Sequence, residues 1–190
     1  MKNRKIRLAG VLALALSLVL TGCGQKPAAP RETYDPAFEE VLNQAGLTGA
    51  DIVSEKENTA YFAGVLENGD VDVLKITFDG DVITDLYESI YYLPENYTEE
   101  AYQGLSDFAS GMEADLAQEG LLEVTWEKME DTFRISCHMQ NLSDPENIQT
   151  FQEMQFLILT ADDEEGLLHF TENLILLKAM GYQEQSFYRN

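Results

Sequence analysis

The sequence predicts an α+β fold, in which an antiparallel sheet of about five strands, a three-strand meander plus a hairpin, packs against helices. Two hairpin turns, Asn68-Gly69 and Asp79-Gly80, separate three runs that are rich in Val, Ile, Phe and Tyr. Two further runs alternate apolar and polar residues across a short turn, and stretches of helical period flank both sets of strands. Because short turns join antiparallel strands, we expect one antiparallel sheet covered by helices.

The strands of the meander are expected at 61–67, 71–79 and 81–92. Alternation along the second strand gives one face consisting of Leu74, Ile76 and Phe78, and an opposite face of Val73, Lys75 and Thr77. On the third strand one face should consist of Ile83, Asp85, Tyr87, Ser89 and Tyr91, opposite Val82, Leu86 and Ile90. If exposed, this tyrosine face would suit a peptide or glycan. A covering helix would instead bury it, and we favour that arrangement.

Four stretches have the signals of helices. The first runs from Pro36 to Gly46 and buries Phe38, Val41, Leu42 and Ala45. A long helix opens at Thr98 and should end at Gly120, with an apolar stripe of Ala101, Leu105, Phe108, Met112 and Leu116. Asp144-Pro145 starts a third. The last should begin near 162–165 and end at Gly181, burying Leu167, Phe170, Leu174 and Leu177.

The second pair of strands contains one of the two cysteines. On the first strand Leu122, Val124 and Trp126 alternate with polar residues. On the second, the inward positions are Phe133, Ile135, Cys137 and Met139. His138 is the neighbour of Cys137 in sequence but must point to the opposite face, so it cannot activate the thiol. We therefore expect Cys137 to be a buried, unreactive side chain.

The other cysteine, Cys23, follows a short apolar segment. Four basic residues, Lys2, Arg4, Lys5 and Arg7, precede the 13-residue apolar run from Leu8 to Leu20. That run is too short to span a bilayer, and with its basic start it is typical of a secretory signal peptide. Leu20-Thr21-Gly22-Cys23 resembles the bacterial lipobox, in which the cysteine is diacylglycerated and becomes the first residue of the mature chain. The alternative is an ordinary signal peptide with a cysteine present by chance.

Three segments follow from this assignment: a lipoprotein signal peptide at 1–22, the lipidated Cys23 with a flexible tether at 23–36, and a single α+β domain at 37–190. The tether contains three prolines and few apolar residues. Without the signal peptide, 8 basic residues oppose 34 acidic ones, a net charge of −26. Nucleic acid and anionic lipid headgroups would be repelled by such a surface, whereas cationic partners would be attracted.

Three stretches, at 79–92, 123–140 and 161–184, carry a resemblance to a known family. They read DGDVITDLYESIYY, EVTWEKMEDTFRISCHMQ and ADDEEGLLHFTENLILLKAMGYQE, and they resemble the YehR-like small bacterial lipoproteins, whose domain has no assigned function. The resemblance covers roughly 59–185. It implies a lipid-anchored α+β domain outside the cytoplasm and supplies no catalytic residues. The helix around Val41 and the strongly acidic surface depart from the family pattern.

No catalytic motif, cofactor motif or zinc spacing occurs in the sequence, and His138 and His169 are its only histidines. The best metal candidates are Asp70-Val71-Asp72 and Asp79-Gly80-Asp81, but each offers too few oxygens for calcium and is explained by its turn. We therefore assign no catalytic, cofactor-binding or metal-ligating residue. With Cys23 lipidated, Cys137 has no disulfide partner.

The sequence thus favours a non-enzymatic binding or accessory domain, anchored through Cys23 on the extracytoplasmic side of the cell membrane. One alternative is a cell-envelope hydrolase that uses dispersed carboxylates, and another is a module that binds divalent cations at its surface. If the domain binds a ligand, a basic peptide or a divalent ion is expected. Five acids near the tyrosine face would attract it, namely Asp70, Asp72, Asp79, Asp81 and Asp85.

Overall fold

A six-stranded antiparallel sheet organises the protein. The computed structural model describes residues 36–53, 58–116, 122–129 and 132–187. The strands are β1 (Thr59–Val65), β2 (Val71–Asp79), β3 (Val82–Tyr92), β4 (Leu122–Lys128), β5 (Phe133–Met139) and β6 (Gln183–Phe187). Their order in the sheet is β4-β5-β3-β2-β1-β6, with every neighbouring pair antiparallel. The predicted α+β class, with its meander and hairpin, is confirmed.

Six α-helices accompany the sheet in the described ranges. They are α1 (Pro36–Gln44), α2 (Gly49–Ile52), α3 (Glu99–Gln103), α4 (Leu105–Leu116), α5 (Pro145–Glu153) and α6 (Phe170–Ala179). A single 3₁₀ turn, Pro94–Asn96, follows β3. None of the helices in these ranges has the length and apolar character needed to cross a membrane. The predicted signal peptide, Cys23 and almost all of the tether fall outside the described residues.

Both predicted hairpin turns of the meander are present. Gly69 and Gly80 adopt φ angles of +92° and +61°, in the left-handed region that glycine enters at little cost. The first strand runs two residues earlier than expected, at 59–65, because β1 pairs with β2 through Val65 and Val71 on either side of the Asn68-Gly69 turn.

The sixth strand was not predicted. Its sequence, Gln-Glu-Gln-Ser-Phe, has little of the β-branched and aromatic content that marks a strand. It forms because β1 offers it a free edge, and the pair runs from Thr59↔Phe187 to Ala63↔Gln183. Tertiary pairing therefore overrides local propensity at this end of the chain.

Apolar side chains form a core on each face of the sheet. The larger core lies on the face that we call the three-helix face, where Leu74, Ile76 and Phe78 meet α4, α5 and α6. The smaller core lies on the face that we call the α1 face, where Phe38 and Leu42 of α1 pack against β1, β2 and β3. The predicted division of β2 into two faces is confirmed.

The tyrosine face was partly mispredicted. A bulge shifts the β2–β3 register between Thr77 and Phe78, so that Phe78 pairs with Ile83 and Thr77 with Asp85. Ile83 therefore lies in the larger core rather than beside Asp85. Ser89 and Tyr91 are buried, and Tyr91 belongs to the smaller core beneath α1, which agrees with the expected covered face.

The long helix predicted from Thr98 is two helices. Thr98 caps α3 as expected, since its Oγ1 accepts a hydrogen bond from the Ala101 N–H at 3.2 Å. The helix then breaks at Gly104, and α4 begins at Leu105. Its buried residues are Leu105 and Ala109, whereas Phe108 is 56% exposed and the predicted stripe is wrong there. Gly120 and the side chain of Leu116 lie outside the described residues.

The last helix also starts later than predicted. Residues 163–165 form a turn, and α6 begins at Phe170 with His169 at its N-cap. The start of α5 is as expected, because Asp144 Oδ1 accepts a hydrogen bond from the Glu146 N–H at 3.0 Å. All described helices and strands belong to one compact unit, Glu32–Asn190.

Candidate functional site

Asp70 is a fully buried carboxylate that ties the first hairpin to the segment after β3. Its Oδ1 accepts hydrogen bonds from the Leu93 N–H and from Asn96 Nδ2, both at 2.9 Å. Its Oδ2 accepts from Asn68 Nδ2 at 2.8 Å and from the Tyr97 hydroxyl. The carboxylate is therefore saturated by protein donors, which leaves Asp70 a structural role and removes it from the metal candidates.

Asp72 and Glu88 form a second acidic site, inside the larger core. Asp72 is 1% exposed, and Glu88 is partly buried. The register pairs Leu74 with Glu88 and Asp72 with Ile90, so the two carboxyl groups are diagonal neighbours on the three-helix face. Burial raises the pKa of Asp72 to about 6. Burial, together with the charge of Asp72, raises the pKa of Glu88 to about 8.

Gly64 and Tyr182 complete the surroundings of Asp72. The Tyr182 hydroxyl donates a hydrogen bond to Asp72 Oδ2 at 2.6 Å. To reach it, the tyrosine ring crosses Gly64, the cross-strand partner of Asp72, where a Cβ atom would lie 2.9 Å from the ring. Burial and the Asp72 charge raise the pKa of Tyr182, which keeps its hydroxyl proton in place. Glycine is needed at position 64 because the ring occupies its side-chain space.

Cys137 lies where the sequence predicted. It is buried in the larger core, it is a free thiol, and it pairs with Glu88 across β3 and β5. Burial and the neighbouring carboxyl groups raise its pKa to about 12, so the thiolate that a nucleophile needs is not formed.

His138 lies on the opposite face from Cys137, as predicted. Its Nε2 is 3.0 Å from both carboxylate oxygens of Asp85, and its ring centroid is 5.4 Å from that of Tyr87. Glu123 lies at 3.8 Å from its Nδ1. Asp85 is thus engaged by an imidazole, and Tyr87 packs against the same ring.

A third group of titratable side chains surrounds His169, between β3 and α6. The ligand atoms of Asp162, Glu165 and His169 all lie within 4.8 Å of one another. His169 Nε2 is 3.0 Å from Asp162 Oδ2, and Nδ1 is 3.5 Å from Asp81 Oδ2. We call these four residues the His169 cluster.

Backbone geometry builds the His169 cluster. An isolated bridge between Val82 and His169 places Asp81 beside the start of α6, where its Oδ1 accepts hydrogen bonds from the Thr171 N–H and hydroxyl at 2.9 and 2.7 Å. Asp162 accepts from three backbone N–H groups of the following turn. Those bonds, first that from Glu165, lower the pKa of Asp162. Burial opposes ionisation of Asp81, but the Thr171 bonds and His169 hold its pKa below the ordinary value.

The tyrosines after β3 join a row of rings. Tyr102, Tyr97, Tyr92, Phe133 and Trp126 follow one another with centroid separations of 6.4, 6.0, 6.5 and 5.5 Å. Phe133 is buried, and Trp126 at the outer end is 39% exposed. Tyr92 and Tyr102 are partly buried against the larger core, so the row lies along its edge.

The sequence therefore identified Asp70, Asp72 and Asp81 as acids of interest but grouped them wrongly. Asp70 and Asp72 have separate partners, and Asp79 is exposed at the end of β2. Glu88 and Tyr182 were missed. Glu88 is an acid at an inward position of a strand, opposite an apolar residue, and this local signal could have revealed it. Three members of the His169 cluster, Asp162, Glu165 and His169, lie within eight residues of one another, a local signal that was also missed, whereas Asp81 is some 80 positions away and the isolated bridge brings it to them.

Among known proteins, the chain is similar to solved structures in its fold only. No family model matches the chain, and no curated protein matches it in sequence. The NMR structure of the Escherichia coli YehR protein is similar to it, with 17% identity and a TM-score of 0.46, over 70% of this chain and 93% of that chain. The NMR structure of a protein from Streptococcus pneumoniae TIGR4 is similar with 11% identity and a TM-score of 0.44, over 70% and 88% of the two chains. The candidate sites accordingly rest on the geometry of this chain.

Proposed function

We propose that the protein is a lipid-anchored, extracytoplasmic binding domain without catalytic activity, and that its ligand is a divalent cation held by the His169 cluster. The observation that carries the ligand assignment is the convergence of Asp162, Glu165 and His169, whose ligand atoms lie within 4.8 Å of one another. The anchoring rests on the sequence before the described domain, which has a short apolar run followed by Leu-Thr-Gly-Cys.

The geometry suits a metal that accepts nitrogen as well as oxygen. Two ligands of a tetrahedral zinc ion lie about 3.3 Å apart, given metal–ligand distances of about 2.0–2.2 Å. His169 Nε2 and Asp162 Oδ2 are 3.0 Å apart, close to that separation. An imidazole with two carboxylates favours zinc or a similar transition metal over calcium and magnesium, which prefer oxygen ligands.

Asp81 supports this arrangement from the other side of the imidazole. Its Oδ2 is 3.5 Å from His169 Nδ1, and its Oδ1 is fixed by Thr171. Histidines that bind metals commonly donate their second N–H to a carboxylate, which selects the tautomer and orients the ring. Asp81 would thus keep the proton on Nδ1 and leave the Nε2 lone pair for the ion.

The buried pair Asp72 and Glu88 has no part in this proposal. A general acid or base must come within hydrogen-bond reach of its substrate, and Asp72 is 1% exposed inside the larger core. The hydrolase alternative therefore draws less support from the geometry than the binding function does.

Lipidation can be tested by metabolic labelling with a fatty-acid probe in a bacterial host. We expect the full-length protein to carry the label and Cys23→Ser to lose it. Cys137→Ser is the matched control, because it removes the buried cysteine and should keep the label. Label retained by Cys23→Ser would refute the anchor.

Cation binding can be tested by calorimetry on residues 24–190, which retain the whole compact unit. We expect zinc to bind more tightly than calcium or magnesium, and His169→Ala to weaken zinc binding by at least about tenfold. His138→Ala is the matched control, since His138 also contacts carboxylates but lies on β5. Equal zinc binding by His169→Ala and the unaltered chain would exclude the His169 cluster.

A further inference from the structure

The larger core contains two acids and no neutralising cation among the described groups that face them. Asp72 projects from β2 and Glu88 from β3 onto the three-helix face, as diagonal neighbours. The titratable groups around them are Tyr182 before β6, Tyr92 at the end of β3 and Cys137 on β5; Asp70, just before β2, lies near Tyr92. Each of these is neutral or negative.

The helices over this face bring no positive charge into the core either. Lys178 is the only basic residue in α4, α5 and α6; its side chain is 55% exposed and pairs with Glu184 of β6 at 2.6 Å. The core residues of these helices are apolar, for example Ala109 of α4, Phe151 of α5 and Leu177 of α6. In such a medium two adjacent carboxylates cannot both ionise without a large cost in desolvation and mutual repulsion.

One carboxyl oxygen of Asp72 lacks a hydrogen-bond donor. Its Oδ2 accepts a hydrogen bond from the Tyr182 hydroxyl, but its buried Oδ1 has no hydrogen-bond partner among the described residues. A buried acceptor without a donor is destabilising, and a protonated carboxyl group supplies one O–H donor. Glu88 is the carboxyl group beside Asp72 that can provide it.

We propose that Asp72 and Glu88 share one proton at neutral pH, bound between Asp72 Oδ1 and the Glu88 carboxyl group, and that its release loosens the packing of β2 and β3 against the helices. The pair is then a proton-binding site that makes the fold sensitive to pH. This inference is independent of lipidation and of the His169 cluster.

The direction in which pH changes the stability follows from the raised pKa values of the two acids. Burial raises the pKa of Asp72 from 3.8 to about 6, and burial with the Asp72 charge raises that of Glu88 from 4.5 to about 8. Between the ordinary and the raised values, the folded chain holds protons that the unfolded chain has released. Stability from this pair is therefore complete below about pH 4, falls as pH rises above that value, and is lost once pH has passed about 8.

The test combines a direct titration with unfolding curves on residues 24–190, in the presence of a chelator so that no bound cation contributes. In carboxyl ¹³C NMR, we expect resonances of Asp72 and Glu88 that titrate above pH 5.5 and shift together, because the two groups are coupled. If every carboxyl resonance titrates below that pH, the shared proton is excluded, and this result does not depend on any variant folding.

Unfolding curves between pH 5 and 9 test the consequence. The melting temperature of the unaltered chain should fall from pH 5 to about pH 8 and then level off, and Glu88→Gln and Asp72→Asn should each remove a large part of that fall. Asp79→Asn is the matched control, because it removes the same charge at an exposed position and should keep the fall. If Glu88→Gln and Asp72→Asn keep the same pH dependence as Asp79→Asn, the pair does not control it.

Discussion

Replacing Asp70 by alanine should lower the free energy of unfolding by about 3–5 kcal/mol. Its carboxylate accepts hydrogen bonds from Leu93, Asn96, Asn68 and Tyr97, and it is fully buried. Removing it leaves the Leu93 N–H and the Asn96 amide without an acceptor, and each buried donor left unsatisfied costs about 1–3 kcal/mol. Urea denaturation of residues 24–190, followed by circular dichroism, measures the change.

Two variants separate the lost hydrogen bonds from other effects. Asp70→Asn keeps an oxygen for Leu93 and Asn96 but presents an amide to the donor of Asn68, so its destabilisation should be smaller than that of Asp70→Ala. Asp79→Ala, an exposed residue at the second hairpin turn, should change stability by about 0.5 kcal/mol or less. Equal losses for Asp70→Ala and Asp79→Ala would show that the buried network contributes nothing.

Features fixed by neighbouring residues could be predicted from the sequence. The turns at Asn68-Gly69 and Asp79-Gly80 need only left-handed backbone that glycine supplies, and the caps at Thr98 and Asp144 need only a side chain within three residues of its partner. The alternation along β2 was correct for the same reason, because it depends on strand geometry alone.

Features that depend on distant parts of the chain could not be predicted. Ile83 changed face because a bulge forms where β3 pairs with β2, and no residue type announces a bulge there. The polar strand β6 exists because β1 is available to pair with it. The partner of Asp72 is Tyr182, 110 positions away, and the ring fits only because Gly64 has no side chain. The sequence therefore identified Asp72 as a candidate residue, but it could not identify the distant residues that surround it in the fold.

Two phenylalanines on predicted helices differ in their burial, and the difference leads to a test. Helical spacing predicted burial of both Phe38 in α1 and Phe108 in α4. Phe38 has no exposed surface and lies in the smaller core, whereas Phe108 is 56% exposed because the face of α4 that meets the larger core runs through Leu105, Ala109 and Met112.

Phe38→Ala should therefore lower the free energy of unfolding by about 3–5 kcal/mol, the range for a buried phenylalanine that leaves a cavity. Phe108→Ala removes the same atoms from an exposed position and should cost about 0.5 kcal/mol or less. Urea denaturation of the two variants under identical conditions measures both. The comparison is matched in chemistry, in helical context and in change of volume, so the difference reports burial alone. Similar losses for the two variants would mean that α1 does not pack on the sheet through Phe38, and the smaller core would then lack the helix that covers Tyr91.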